Sequence, residues 1–299
     1  LIVLAPLLTG FIKKAKALLQ GRVGPRLLQP YYDLYKYMRK DSVVSQESSW
    51  LFAATPYIVF GATVTAATLI PAFAGRSIFS FTGDLVLFVY LFALARFFLG
   101  LAGVDTGSSF GAQGASRDLF VSSLAEPVLF VAVLAAALPA GSTNLADIFH
   151  HQAASGTITP AYFMLLGAFI ILLVTETGRV PVDNPDTHLE LTMIHEGALL
   201  EYSGKLLALL LWSAWIKQML LFSLFVNLCL PWGSPPDTVA WPAGFACSTI
   251  LFFIKILLVG LLMAIVEMSN AKMRLFKVPR FLAVALVLSL FAIATEFML

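Results

Sequence analysis

Glu176, Asp183, Asp186, Glu190, Glu196 and Glu201 fall in one short segment between two apolar runs, with His188 and His195 among them and Arg179 as the only basic residue. The whole chain has only 17 acidic residues in 299, so this is a local concentration. Like charges crowded in a low-dielectric site cannot all ionise, and some of the carboxyls then keep a proton near neutral pH. Histidine titrates in the same range. These residue types therefore point to proton transfer, or to docking of a partner that uses protons. A hydrated loop of ordinary carboxylates is the plain alternative. A metal site is a third, although no compact His-Glu-x-x-His spacing occurs.

The elements around the segment decide what those side chains can reach. Pro181 and Pro185 break any helix that continues from the preceding apolar run, and Asp183 and Asp186 are placed to cap the next helix. A helix from Asp186 towards Tyr202 would line up Asp186, Glu190 and Glu201 on one wall and His188 with His195 on another face, with Gly197 as an interruption.

The chain is 59% hydrophobic and 12% charged, against about 25% charge in soluble domains. Its mean hydropathy is +0.88. The fold class is all-α: a polytopic membrane protein with about eight transmembrane helices and a cytoplasmic amphipathic helix, forming one integral membrane domain over 1–299. The predicted spans are 1–12, 55–74, 83–104, 118–139, 161–178, 205–230, 243–267 and 279–298. The first is expected to be truncated at its N-terminus, because the chain opens inside an apolar run without Met. The alternating ~10-residue segments of a barrel are absent. Outside the spans, every Lys and Arg except Arg76 lies in the first, third, fifth or seventh loop. The positive-inside rule then makes those loops cytoplasmic and puts both termini outside. It also puts the acidic segment on the cytoplasmic side.

Arg96, Lys217 and Lys255 remain within spans, where each must face the bundle or a wet cavity and find a partner. Glu126, Glu267 and Glu296 are their acidic counterparts. Lys217 and Glu126, nearest the span interiors, lean towards function; Glu296 reads as interfacial. Tyr31–Arg39 reads as an amphipathic surface helix, either a membrane anchor or a landing pad for a soluble partner. Cys229 and Cys247 lie in apolar runs and read as small buried hydrophobes.

The frame Glu176, Arg179, Pro181, Asp183, Asp186, Glu190 and Glu201-Tyr202-Ser203-Gly204 resembles the acidic loop between spans five and six of respiratory complex I subunit 1 and its hydrogenase relatives. The turn from Gly21 through Arg22, Gly24, Pro25 and Arg26 resembles the first loop of that family. Three stretches resemble the hydrogenase branch, the membrane subunits of formate hydrogenlyase and hydrogenase-4-type complexes: Gly103–Arg117, Ile216–Gln218 through Pro231–Gly233, and Glu267–Arg274. His188 and the stretch from Thr192 to His195 depart from the usual pattern.

The resemblance implies the membrane anchor and proton-coupling subunit of a group-4 [NiFe]-hydrogenase-like complex in a prokaryotic cytoplasmic membrane. Hydrogenase-like large and small subunits would dock on the cytoplasmic side and antiporter-like subunits beside it in the lipid. No nucleic-acid partner is implied. The chain itself would bind no cofactor; the [NiFe] centre and iron–sulfur clusters belong to the partners. The implied proton path is Glu126, Glu176, Asp183, Asp186, Glu190, Glu196, Glu201, Lys217 and Lys255. The implied docking residues are Arg22, Arg26, Arg117, Arg179, His188 and His195. Two rivals stand beside this reading: the quinone-site subunit of a complex I-like oxidoreductase, and a stand-alone secondary transporter. The transporter class is disfavoured by the absence of inverted repeats.

Overall fold

The computed structural model describes residues 1–45, 47–71, 77, 79–155, 159–184, 193–232 and 243–298. Backbone polar groups in lipid must be satisfied within their own segment, and each predicted apolar run is accordingly an α-helix. In chain order these are α1 (Ala5–Leu19), α2 (Gln29–Arg39), α3 (Trp50–Leu69), α4 (Asp84–Asp105), α5 (Ser109–Ala137), α6 (Leu145–Ser155), α7 (Pro160–Glu176), α8 (Gly204–Cys229), α9 (Ala243–Ser269) and α10 (Val278–Met298). No strand is present among the described residues.

Six helices, α3, α4, α5, α8, α9 and α10, are long and apolar enough to cross a membrane. Helices α1, with 15 residues, and α7, with 17, are shorter than the typical span of ~20. By length and composition, six of the eight predicted spans are confirmed among the described residues. The amphipathic helix expected at Tyr31–Arg39 is α2, starting two residues earlier with Pro30 in its first turn. Helix α6 was not predicted. It is short, and Asp147, His150 and His151 keep it from reading as an apolar run.

Helix α5 begins at Ser109, well before the predicted 118. Gly107, with φ of 64°, ends the preceding turn, and the small residues Gly111, Gly114 and Ala115 then let α5 pack into a crowded space. A Cβ on Gly114 would stand 2.6 Å from the backbone of Gly197, and one on Gly197 would stand 2.7 Å from Gly114. Gly197 lies in a 3₁₀ turn, Glu196–Leu199, which replaces the later part of the helix expected to run towards Tyr202. The backbone-to-backbone contact with α5 leaves no room for a side chain at Gly197.

A second proline effect fixes α3. Pro56 has no N–H, so the carbonyl of Phe52, one turn back, loses its helical donor. Tyr202 Oη donates to that carbonyl at 3.0 Å, and its ring stacks on Phe52 with centroids 4.0 Å apart.

The ends of α1, α3, α4, α5, α7, α8, α9 and α10 nearest the first loop meet at one face of the bundle. Ser49, whose hydroxyl accepts from Leu51 N–H at the start of α3, donates to Asp105 at the end of α4. Ser42 Oγ accepts from Lys205 N–H at 3.1 Å at the start of α8, and Met273 N–H donates to Pro181 O at 2.8 Å. At the opposite face, Asp84 accepts from Leu145 N–H at the start of α6, and Tyr162 donates to Cys229 O.

Candidate functional site

Helix α7 places the central carboxylate. Gly178, with φ of 60°, is the left-handed residue of a Schellman ending: Gly178 N–H donates to Thr175 O and Arg179 N–H to Val174 O. Glu176 is therefore locked in the last turn and points into the bundle, 3% exposed. Arg96 of α4 reaches it with Nη2 at 2.9 Å from Oε2 and also donates to the Glu176 carbonyl at 3.3 Å, satisfying a helix-end acceptor. Lys217 of α8 lies 2.7 Å from the same Oε2, with its ammonium 5.4 Å from the Phe92 ring centroid. Two cations from two helices thus share one buried carboxylate. The in-span Arg96 and Lys217 have the partner that their cost in lipid requires.

A cavity of about 190 Å³ adjoins this trio. Its lining includes the apolar Val59, Leu99 and Leu210 as well as Arg96, Glu176, Lys217, Asp118, His195 and Glu196. Asp118 of α5 is buried. His195 stands between it and Asp183: Nε2 is 3.6 Å from Asp118 Oδ1 and Nδ1 is 3.7 Å from Asp183 Oδ2. Both separations exceed hydrogen-bond range.

Asp183 has other partners. Its Oδ2 accepts from the backbone N–H groups of Ile194 and His195, and its Oδ1 from that of Asn184. Lys272 Nζ lies 2.7 Å from Oδ1. Burial pushes this carboxyl up, but the neighbouring His195 and Lys272 outweigh burial and hold it well below the usual carboxylate range.

A second buried carboxylate, Glu267 of α9, is paired with Arg179 at 3.1 Å and Lys16 of α1 at 2.8 Å. Arg179 also donates to Gln218 Oε1 at 3.1 Å. Gln218 is next to Lys217 on α8, so the two charged trios touch along that helix.

The other sequence-predicted residues are more scattered. Glu196 is half-buried and lines the cavity. Glu201 is exposed. Glu126, half-buried on α5, makes no hydrogen bond or ion pair among the described residues; it stands about 12 Å along the helix axis from Asp118. Lys255 is set apart: it donates to Leu230 O at 2.7 Å, about 20 Å along α8 from Lys217. Of the residues expected at a docking surface, Arg22 and Arg26 are exposed. Arg117 donates to Met193 O at 3.2 Å. Arg179 and His195 are turned inward, because Glu267 and the two aspartates draw them there. Asp186, His188 and Glu190 lie outside the described residues.

Sequence reasoning passed over Asp118, Lys272, Lys16 and Gln218. Asp118 was hidden as the edge of a span whose helix in fact starts a full two turns earlier. The others pair across large sequence separations, such as 89 residues for Lys272 with Asp183.

The model of the NADH dehydrogenase family matches residues 1–296 of the chain. The chain belongs to this family. Within the NADH dehydrogenase family, the chain is 36% identical to formate hydrogenlyase subunit 4 of Escherichia coli (strain K12) over 283 residues, covering 94% of this chain and 90% of that one. It is also 36% identical to hydrogenase-4 component C of the same organism over 278 residues, covering 92% and 85%. NADH-quinone oxidoreductase subunit 8 of Rhodothermus marinus is 29% identical over 220 residues, covering 68% and 64%. In fold, this family member matches a chain of the membrane-bound sulfane sulfur reductase, an archaeal respiratory membrane complex. The TM-score is 0.81 at 20% identity, covering 97% of this chain and 96% of that one. The family resemblance carried by the acidic segment is thereby confirmed, and the chain is a multi-pass membrane protein.

Proposed function

We propose that this chain is the membrane anchor and proton-coupling subunit of a group-4 [NiFe]-hydrogenase-like complex of the formate hydrogenlyase type. The observation that carries this is the buried Arg96–Glu176–Lys217 trio beside a cavity that also holds Asp118, His195 and Asp183. Ionisable groups inside a membrane bundle are costly and mark proton or ion pathways. The likeness to formate hydrogenlyase subunit 4 and hydrogenase-4 component C supports the type of complex.

In this reading the first loop, with Arg22 and Arg26 exposed, faces the cytoplasm and docks hydrogenase-like subunits that carry the [NiFe] centre and iron–sulfur clusters. Both termini lie outside, in the inner membrane of a prokaryote. Glu126 leads protons from antiporter-like neighbours towards the trio, and Asp118 joins the sequence-predicted path. Lys255, tied to a backbone carbonyl far from the cavity, plays no part in it.

A second reading has one observation in its favour. A cavity lined by Val59, Leu99 and Leu210 together with several charged side chains suits an amphiphilic ring such as a quinone headgroup. Isolation of the complex with its neighbours decides: hydrogenase-like large and small subunits support the first reading, and quinone-dependent activity blocked by a quinone-site inhibitor supports the second. Within the first reading, Glu126→Gln and Glu176→Gln in the assembled complex should each reduce proton movement per electron. Unchanged coupling in both would remove the proton-path role.

A further inference from the structure

We propose that His195 is a proton-loading residue that swings between Asp118 and Asp183, and that it belongs to the proton path and not to a docking surface. The inference rests on the proton-path reading above and names a residue and a step within it. Three observations carry it. The ring nitrogens face two carboxylates from two different elements, at 3.6 and 3.7 Å. Neither nitrogen has a hydrogen-bond partner among the described residues, although both are buried. The ring lies against Gly178, where an added Cβ would stand 3.0 Å from its Cγ. The large majority of buried side-chain nitrogens are hydrogen-bonded, so a ring with neither nitrogen bonded to a protein group stands out. Here both gaps are too long for one and nearly equal, so a small displacement over the bare Cα of Gly178 completes either bond but not both.

Each transfer conserves atoms and charge. The O–H bond of a protonated Asp118 breaks as an Nε2–H bond forms, converting a neutral acid and a neutral imidazole into a carboxylate and an imidazolium. The imidazolium then loses its Nδ1 proton to Asp183 Oδ2, leaving a neutral ring that carries its proton on Nε2. Lys272 and the backbone donors favour the Asp183 carboxylate, so its acid form is short-lived and gives its proton to solvent beside Lys272, whose side chain is 25% exposed. The charged groups facing His195 are Asp118 from α5, Asp183 from the loop with Lys272 behind it, and Glu176, Arg96 and Lys217 across the cavity. Glu196 is its neighbour in the chain.

The test uses the assembled complex in proteoliposomes and reads electron transfer and proton uptake from pH 5 to 9. His195→Ala should slow proton-coupled turnover about 100-fold, the scale of one lost proton-transfer group. Added imidazole should restore it, with a pH profile that tracks the pKa of the added base when 4-methylimidazole replaces it. A structural role would give no such rescue. Parent-like coupling and pH profile in His195→Ala, or a slow variant that imidazole does not restore, overturns the proposal. Should His195→Ala fail to assemble, infrared difference spectra of the unaltered complex with labelled histidine provide the reading: an imidazolium band must appear during turnover, and its absence overturns the proposal. Glu126→Gln is measured in parallel. Lost coupling there with parent behaviour in His195→Ala leaves the proton path standing without the histidine. Parent behaviour in both removes the path itself.

Discussion

The phenol of Tyr202 donates to the carbonyl of Phe52 at 3.0 Å, at the one place in α3 where Pro56 withholds the helical donor. Burial raises the Tyr202 hydroxyl above its ordinary value, so it stays protonated and available to donate at any working pH. Tyr202→Phe keeps the ring stack but leaves the Phe52 carbonyl unpaired in an apolar setting. The expected loss is about 1–3 kcal/mol, read as a lower thermal midpoint in detergent with the assembled subunit composition unchanged.

Glu176→Gln should do more damage than any other single change at the cavity. It leaves Arg96 and Lys217 buried without their counter-charge, a defect of about 3–5 kcal/mol. Lys217→Met in the same chain removes one of the stranded cations and should recover part of that loss. A double-mutant cycle on thermal stability measures the coupling, and strict additivity would contradict the shared ion pair.

Gly114→Ala should disturb the junction between α5 and the 3₁₀ turn, because the new Cβ would meet the Gly197 backbone at 2.6 Å. Backbone cannot yield as a side-chain tip does, so we expect a cost of about 1–3 kcal/mol and faster protease cleavage after residue 193. Gly61→Ala is the control, since nothing lies within 4 Å of its added Cβ.

Asp183 gives the pH dependence a sign. Its folded-state value lies below the unfolded 3.8, so its contribution is fully present above that value and is lost as pH falls through the folded one. Acid unfolding of the parent should therefore steepen below about pH 4. Asp183→Asn should be less stable at pH 7 and show a flatter acid limb, as monitored by tryptophan fluorescence across a pH series.

Much of this architecture was legible in the sequence because lipid enforces it. The apolar runs could only be helices, and Arg96 and Lys217 could not stand unpaired in them. Which carboxylate they would share was not legible, since Glu176 lies 80 residues from Arg96 and several acids stood equally near in sequence. The expected wall of Asp186, Glu190 and Glu201 required a regular helix through Gly197. The contact between Gly114 and Gly197, a property of two segments together, replaced that helix with a 3₁₀ turn in its described part. Asp118 was passed over for a related reason: hydropathy located the apolar stretch of α5 but not the small-residue turns that precede it.

Helix α8 has no side-chain cap of its own from Ser203. The hydroxyl of Ser42 supplies one from outside, accepting from Lys205 N–H, while Ser203 exchanges two hydrogen bonds with Val43. The first loop thus closes the end of the helix that carries Lys217 and Gln218. A borrowed cap makes the two inseparable: any partner that shifts residues 41–43 must either carry the start of α8 with it or leave that end to fray, and both outcomes are felt at the cavity three turns away.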